Sequence, residues 1–255
     1  MLDEMESHKT NQTWVLVKKP EHHKLVDYRW LFRIKNEDPP RYKARLVAKG
    51  FTPKEGTDYH EILFKTIRIM LALIAINDLE LEQLDVKAAF LHGELDEQIY
   101  MKQPPGFVDK KYPEHACYLK KSLYGLKQSP RLWYKRFYSY VLKLGFVRSD
   151  YHPCFYYASV ENCPVYVLLY VDDILLISKS ADKIKVLKSQ LSSEFDMKDL
   201  RKAKKILGMV IYRDRSKCFL KLHQRPYLEK IVSKFSSLDC KPMQVPLAPH
   251  FIMSK

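Results

Sequence analysis

Two adjacent carboxylates, Asp172 and Asp173, stand between the apolar runs Val165–Val171 and Ile174–Ile177, with no Gly, Asn or Pro to ease a turn. Like charges held that close repel, and apolar surroundings raise the cost of ionising them unless a cation compensates. Two readings are open: a hairpin whose polar turn is acidic, or a metal or catalytic centre. A third carboxylate, Asp85, closes the partly alternating stretch Leu79–Val86. If that strand neighbours the strands around Asp172 in one sheet, Asp85 and Asp172 come within ligand-sharing distance. Oxygen donors of this kind suit Mg²⁺, which keeps waters and takes further ligands from substrate phosphates. Two such ions about 4 Å apart activate an attacking hydroxyl and neutralise a leaving pyrophosphate, which is the chemistry of nucleotidyl transfer.

Other chemistries are poorly supplied. The seven glycines match neither a dinucleotide fingerprint nor a phosphate-binding P-loop, so any phosphates must be held by metal and side chains. Five cysteines, none in a C-x-x-C pair, read as reduced thiols and not as a disulfide frame or zinc site. His60 and His92 lack metal-ligand spacing and read as structural or surface residues. No Ser-His-Asp arrangement surrounds the carboxylates. The first residues, MLDEMESHK, hold no signal-peptide core, and the runs Ile69–Ile76 and Val165–Val171 are too short to span a bilayer. No membrane role is expected.

The elements that must position these groups are mixed. Trp30–Ile34 and Ala44–Ala48 read as a basic hairpin turning at Glu37-Asp38-Pro39-Pro40. Ile67–Ile76 is apolar nearly all round, as a buried helix would be. Ser129-Pro130 reads as an N-cap and first helical proline, with Leu132, Trp133, Phe137, Val141 and Leu144 on one face and Gly145 as the stop. Ala181–Phe195 and Pro226–Phe235 give two more helices, and the stretch from Lys241 reads as irregular. The net charge of +14 points to a polyanionic partner. Its distribution alternates: residues 1–50, 101–150 and 201–255 are net basic, while 51–100 and 151–200, which hold the three aspartates, are net acidic.

Tyr170-Val171-Asp172-Asp173 resembles motif C of reverse transcriptases, and the likeness extends along nearly the whole chain to the copia-type long-terminal-repeat retrotransposon polymerases. It is carried in order by 41–51 (RYKARLVAKGF), 84–93 (LDVKAAFLHG), 99–104 (IYMKQP), 121–131 (KSLYGLKQSPR), 168–174 (LLYVDDI) and 195–200 (FDMKDL). The resemblance implies an α+β, right-hand polymerase fold, with an antiparallel palm sheet backed by helices and most of the thumb missing. It places the fingers at 14–64 and 92–128, the palm at 65–91 and 129–212, and a connection toward the thumb at 213–255. It makes Asp85, Asp172 and Asp173 the catalytic and metal-binding residues for two Mg²⁺ ions, with Mn²⁺ as an alternative, Asp173 being the weaker ligand.

The same resemblance puts Phe90 where a bulky ring crowds a ribose 2′-hydroxyl, although a core aromatic is the plain alternative for that residue. Tyr124, Gly125, Gln128 and Pro130 match motif B, beside the incoming base and the template strand. Tyr170 and Val171 adjoin the nucleic acid, and Leu207-Gly208 matches the primer-grip turn. Lys35, Arg41, Lys43 and Arg45 are candidates for the triphosphate, against a solvated basic hairpin as the alternative. Deoxynucleoside triphosphates and an RNA or DNA template with primer are the implied partners. A cytoplasmic particle or the nucleus is the implied location.

Three departures accompany the match. The connection Tyr59–Arg68 is about five residues short, a change that would shift register near a site where small misplacements are costly. Ala88 stands where threonine is common, and Arg201 where glycine is common. Protease, integrase and RNase H segments are not represented. The rival expectation is a catalytically inactive retrotransposon remnant whose basic blocks still bind nucleic acid.

Overall fold

Period-2 and period-3.6 patterns in the chain are realised side by side. The computed structural model describes residues 1–35, 39–49 and 59–235, with the backbone alone for 59–64. In chain order the first elements are α1 (Leu2–Thr10), β1 (Trp14–Val17), β2 (Tyr28–Lys35), β3 (Arg41–Ala48), α2 (Tyr59–Ile76), β4 (Glu80–Val86), β5 (Glu94–Met101), β6 (Ala116–Lys121) and α3 (Ser129–Lys143). Then follow β7 (Val147–Arg148), β8 (Phe155–Val160), β9 (Cys163–Tyr170), β10 (Asp173–Ser178), α4 (Ala181–Glu194) and β11 (Met197–Lys202). The last are β12 (Lys205–Ile206), β13 (Met209–Asp214), β14 (Phe219–His223) and α5 (Arg225–Lys234). Every pairing between these strands is antiparallel, so the α+β expectation holds.

Contacts divide the chain into two units, Met1–Ala203 and Lys204–Lys255. The first holds a six-stranded sheet ordered β11-β4-β10-β9-β8-β7, a three-stranded sheet ordered β1-β6-β5 and the two-stranded ribbon β2–β3. One core fills the space between the large sheet and the helices α3 and α4, through Trp133, Phe137, Val141, Ile184, Leu187 and Leu191 against Leu84, Val167, Ile174 and Leu176. A second core joins Leu46 and Ala48 of the ribbon to Met101, Cys117, Leu119, Leu123 and Leu126. The second unit is a small sheet, β12-β13-β14, followed by α5.

Several local expectations are corrected. α2 buries one stripe, Ile67, Met70, Leu71 and Ile74, and leaves Ile69 and Ile76 exposed, so it is not surrounded. Hydrophobicity on all sides of a sequence therefore does not report burial on all sides. Gln128 caps α3 without a side-chain capping bond; Ser129 lies inside it and donates its hydroxyl to the Leu123 carbonyl at 2.5 Å. That hydroxyl anchors the preceding turn instead of the helix amides. β2 and β3 run longer than the apolar segments suggest, because their outer ends alternate basic and apolar residues. Helix α1 carried no expectation. Glu37 and Asp38 of the expected turn and the stretch from Lys241 lie outside the described residues, while Tyr59–Arg68, expected as a connection, forms the first part of α2.

Candidate active site

Strand β10 is flanked by β4 on one side and β9 on the other. β9 and β10 form a hairpin in which Tyr170 pairs with Asp173, leaving Val171 and Asp172 as a two-residue turn. Asp173 also lies opposite Asp85 of β4. Directly opposed residues of an antiparallel pair share a face, so Asp85, Asp173 and Gln83, two residues before Asp85, project together. Gln83 Nε2 donates to Asp173 Oδ1 at 2.7 Å. The Asp172 carbonyl accepts the Val86 N–H at 2.7 Å, tying the turn to the end of β4. The neighbouring-strand condition is met: the three aspartates stand at one end of three adjacent strands.

The electrostatics agree with this crowding. Burial raises the Asp85 carboxyl above the usual range, Asp172 raises it further, and Lys43 and Lys35 oppose. Asp173 is raised by burial, then by Asp172 and Asp85, against the Gln83 hydrogen bond that favours its charge. The Tyr170 hydroxyl is raised by burial and by Asp172 and Asp173. Among the described residues no three Asp, Glu, His or Cys side chains are drawn together tightly enough to enclose an ion. What is present is an open cluster of carboxylates whose charge Lys43, Lys35 and the Gln83 amide offset only in part. Carboxylate oxygens are the donor type that a hard divalent cation takes, completing its shell from water and phosphate.

Facing Asp85 is the ribbon, whose register sorts its side chains. Leu31↔Arg45, Arg33↔Lys43 and Lys35↔Arg41 are opposed pairs, so Arg33, Lys35, Arg41, Lys43 and Arg45 occupy one face. Trp30, Phe32, Ile34, Tyr42, Ala44 and Leu46 occupy the other. Burial lowers the Lys43 ammonium, Arg45 and Lys35 lower it further, and Glu4 and Asp85 oppose. Arg41 begins β3 at the end remote from the second core.

Three expected residues form one ring cluster. The Phe90 and Tyr124 ring centroids are 4.9 Å apart, and the Arg45 guanidinium lies 4.8 Å over the Tyr124 ring. Burial pushes the Tyr124 hydroxyl up to about 12, so it stays protonated. Phe90 is half-buried in the short 3₁₀ turn Ala89–His92, not a fully enclosed core ring. The Tyr124 carbonyl accepts the Ala48 N–H at 2.8 Å, docking the free edge of β3. Gly125 is required there: its φ is +92°, and a Cβ would overlap the Ala48 carbonyl oxygen and press Val47 Cγ1 at 2.7 Å. Gln128 Nε2 reaches Glu97 Oε2 at 3.5 Å, and Pro130 is exposed in the first turn of α3.

Within the second unit, Leu207 (φ +51°) and Gly208 (φ +78°) are the central residues of the β12–β13 turn. Left-handed angles at both positions make it a type I′ hairpin, which suits the glycine. Arg201 has φ +60° and lies where β11 shifts register against β4. Glycine would take that conformation without strain, so the departure noted at this position has a conformational cost, partly met by Asp199 Oδ1 accepting the Arg201 N–H at 2.7 Å.

Three further residues, Gln83, Trp133 and Glu4, touch the groups described above. Gln83 was legible, since strand periodicity puts it on the face of Asp85. Trp133 belongs by periodicity to the packing face of α3, and its indole N–H donates to the Val171 carbonyl. Glu4 of α1 accepts the Leu46 N–H at 3.2 Å, on the same β3 edge that Tyr124 holds. No local pattern could reveal that contact across 42 positions.

A family model described as reverse transcriptase (RNA-dependent DNA polymerase) matches residues 11–249. The retrovirus-related Pol polyprotein from transposon TNT 1-94 of Nicotiana tabacum is 45% identical over 264 residues, covering 100% of this chain and 20% of the relative. That from transposon RE1 of Arabidopsis thaliana is 40% identical over 248 residues, covering 94% of this chain and 17% of the relative. The transposon Ty1-MR1 Gag-Pol polyprotein of Saccharomyces cerevisiae is 30% identical over 241 residues, covering 89% and 13%. The chain thus spans a fifth or less of the length of these relatives.

Proposed function

The chain belongs to the reverse transcriptase family, with copia-type transposon Pol polyproteins as its relatives, and on that footing we propose that it is an RNA-directed DNA polymerase domain. The reaction adds a deoxynucleotide from its triphosphate to a primer 3′-hydroxyl on an RNA or DNA template. In this reading the six-stranded sheet is the palm of a right-hand fold and the ribbon belongs to the fingers. The assigned spans are 14–64 and 92–128 for the fingers, 65–91 and 129–212 for the palm, and 213–255 for the connection to the thumb. Among the described residues no helix is long and apolar enough to cross a membrane.

Asp85 and Asp172, with Asp173 as a weaker ligand, would hold Mg²⁺ ions that supply activation of the 3′-hydroxyl and charge neutralisation at the leaving pyrophosphate. The protein's own groups do the rest by position and charge. Lys43, Arg45 and Lys35 present cations toward the triphosphate, with Arg41 further along the same face. Tyr124 and Phe90 shape the nucleoside pocket, Phe90 standing where a 2′-hydroxyl would clash. Gln128 and Pro130 adjoin the template, Tyr170 and Val171 the primer end, and Leu207-Gly208 the primer strand.

The single observation that carries this reading is the Asp85–Asp173 cross-strand pair with Asp172 in the adjoining turn. The purified chain should extend a DNA primer on an RNA template with Mg²⁺, and Asp172→Asn should abolish extension. Equal extension by both proteins, or none by wild type, overturns the catalytic assignment. Salt-sensitive filter binding without extension would establish the nucleic-acid-binding remnant instead.

A further inference from the structure

The turn that presents Asp172 is built on an unfavourable residue. Val171 has φ +53°, the left-handed region, in a two-residue hairpin turn where glycine is the usual occupant of that position. A β-branched side chain there is strained, and such a conformation persists only where its surroundings impose it. Pairing of Tyr170 with Asp173 closes the ends of the turn but leaves the intervening peptide planes free to rotate.

Two hydrogen bonds from different elements, β4 and α3, fix those planes. The Val86 N–H holds the Asp172 carbonyl, and the Trp133 indole N–H holds the Val171 carbonyl. The second is notable because it comes from a side chain on α3, 38 residues away in sequence. Trp133 is 2% exposed and its ring is packed by Phe195 at 5.3 Å, Phe137 at 5.7 Å and His92 at 5.8 Å. The indole has one donor and no acceptor, and that donor is spent on this carbonyl. The Val171 carbonyl belongs to the peptide that begins Asp172, so holding it sets the direction in which the Asp172 Cα–Cβ bond leaves the turn.

We propose that Trp133 is a positioning residue that, by holding the Val171 carbonyl, keeps the strained turn in the one conformation that aims Asp172 at the reacting centre. The proposal rests on the polymerase reading above for its kinetic consequence, but not for the geometry it invokes. Phenylalanine at 133 keeps an aromatic ring in the core and removes the donor. Glycine at 171 removes the strain, so the turn no longer depends on the donor.

The test is a cycle on the full chain: wild type, Trp133→Phe, Val171→Gly and the double variant. Trp133→Phe should lower kcat for primer extension by about 10- to 100-fold, the scale set by small misplacements at a reacting centre, with KM for the deoxynucleoside triphosphate unchanged. It should also weaken Mn²⁺ binding, read by spin-resonance titration without nucleic acid. In the Val171→Gly background the same substitution should change neither quantity. A loss of equal size in both backgrounds means that Trp133 acts through packing alone and overturns the proposal, as does an unchanged kcat.

If wild type extends no primer, the polymerase reading falls, and the Mn²⁺ titration across the same cycle still decides the role of Trp133. Should Trp133→Phe show no cooperative melt, 3-benzothienylalanine at 133, which keeps the bicyclic shape without the N–H, replaces it in the cycle.

Discussion

The hairpin β9–β10 and the ribbon β2–β3 are both antiparallel strand pairs carrying charged residues of the candidate site, and they are held in opposite ways. β10 is paired along its whole length on both sides, and five of its six residues are buried. Among the described residues the ribbon pairs only with itself, and Phe32, Ile34 and Tyr42 are 70%, 58% and 79% exposed. Its attachments include the Tyr124 carbonyl and ring, the Glu4 carboxylate, the Tyr28 hydroxyl on the Gln103 carbonyl, the Trp30 ring against Phe107 and the apolar root at Leu46 and Ala48. A two-stranded element with so few buried contacts opens at lower free energy than a central strand. The acidic groups thus sit on a rigid frame and the basic groups on a thinly anchored one.

The sharpest test of this contrast is to neutralise a carboxylate of the frame and ask whether activity is lost while the fold is kept. Asp85→Asn should cost primer extension about 100-fold or more, by analogy with removal of other charge-stabilising groups. It should nevertheless raise Tm at neutral pH. The folded carboxyl titrates above its unfolded value because of burial and then Asp172, so the folded state holds the proton more tightly. Ionisation therefore costs stability as pH rises through the folded value, and the cost vanishes below the unfolded one. The Tm advantage of the variant should disappear in acid; a lower Tm at neutral pH would show the carboxylate to be structural.

The ribbon should fail differently. Gly125→Ala forces a Cβ into the Ala48 carbonyl at a left-handed φ, and should destabilise by about 3 kcal/mol. Amide hydrogen exchange should show the loss over β3 while β10 stays protected; equal loss in both would mean that ribbon and sheet open as one body.

Glu4→Ala leaves the Leu46 N–H without its acceptor and should cost about 1–2 kcal/mol, with a higher KM for the deoxynucleoside triphosphate. Glu4→Gln, whose amide oxygen can still accept, should recover most of the stability in a thermal melt. If Ala and Gln behave alike, the hydrogen bond is not what holds that edge.

The same contrast marks what could be read in advance. The aspartates and their strands were legible because a buried strand advertises itself by composition, and a carboxylate interrupting it stands out. The basic hairpin was legible as charge, and its two faces follow from strand periodicity once the register is known. Glu4 was not, because a carboxylate on a polar helix gives no sign of a partner 42 residues on. The indole bond of Trp133 was hidden for another reason: a residue that satisfies a packing pattern leaves no residue of doubt about its one polar atom. The composition of α2 overstates its burial, since hydrophobicity reports what a face can cover and not whether anything covers it.

Tyr124 is attached at three points: its ring to Phe90, its ring to the Arg45 guanidinium, and its carbonyl to the edge of β3. A residue with that many obligations is pleiotropic. Any substitution of that ring changes what faces Phe90 and also releases the Arg45 cation, whereas the backbone carbonyl goes on holding β3 whichever side chain stands there, so single-step drift at this position is narrow. Change in the pocket must then enter through neighbours with lighter duties, such as Gln128, whose amide reaches only outward to Glu97.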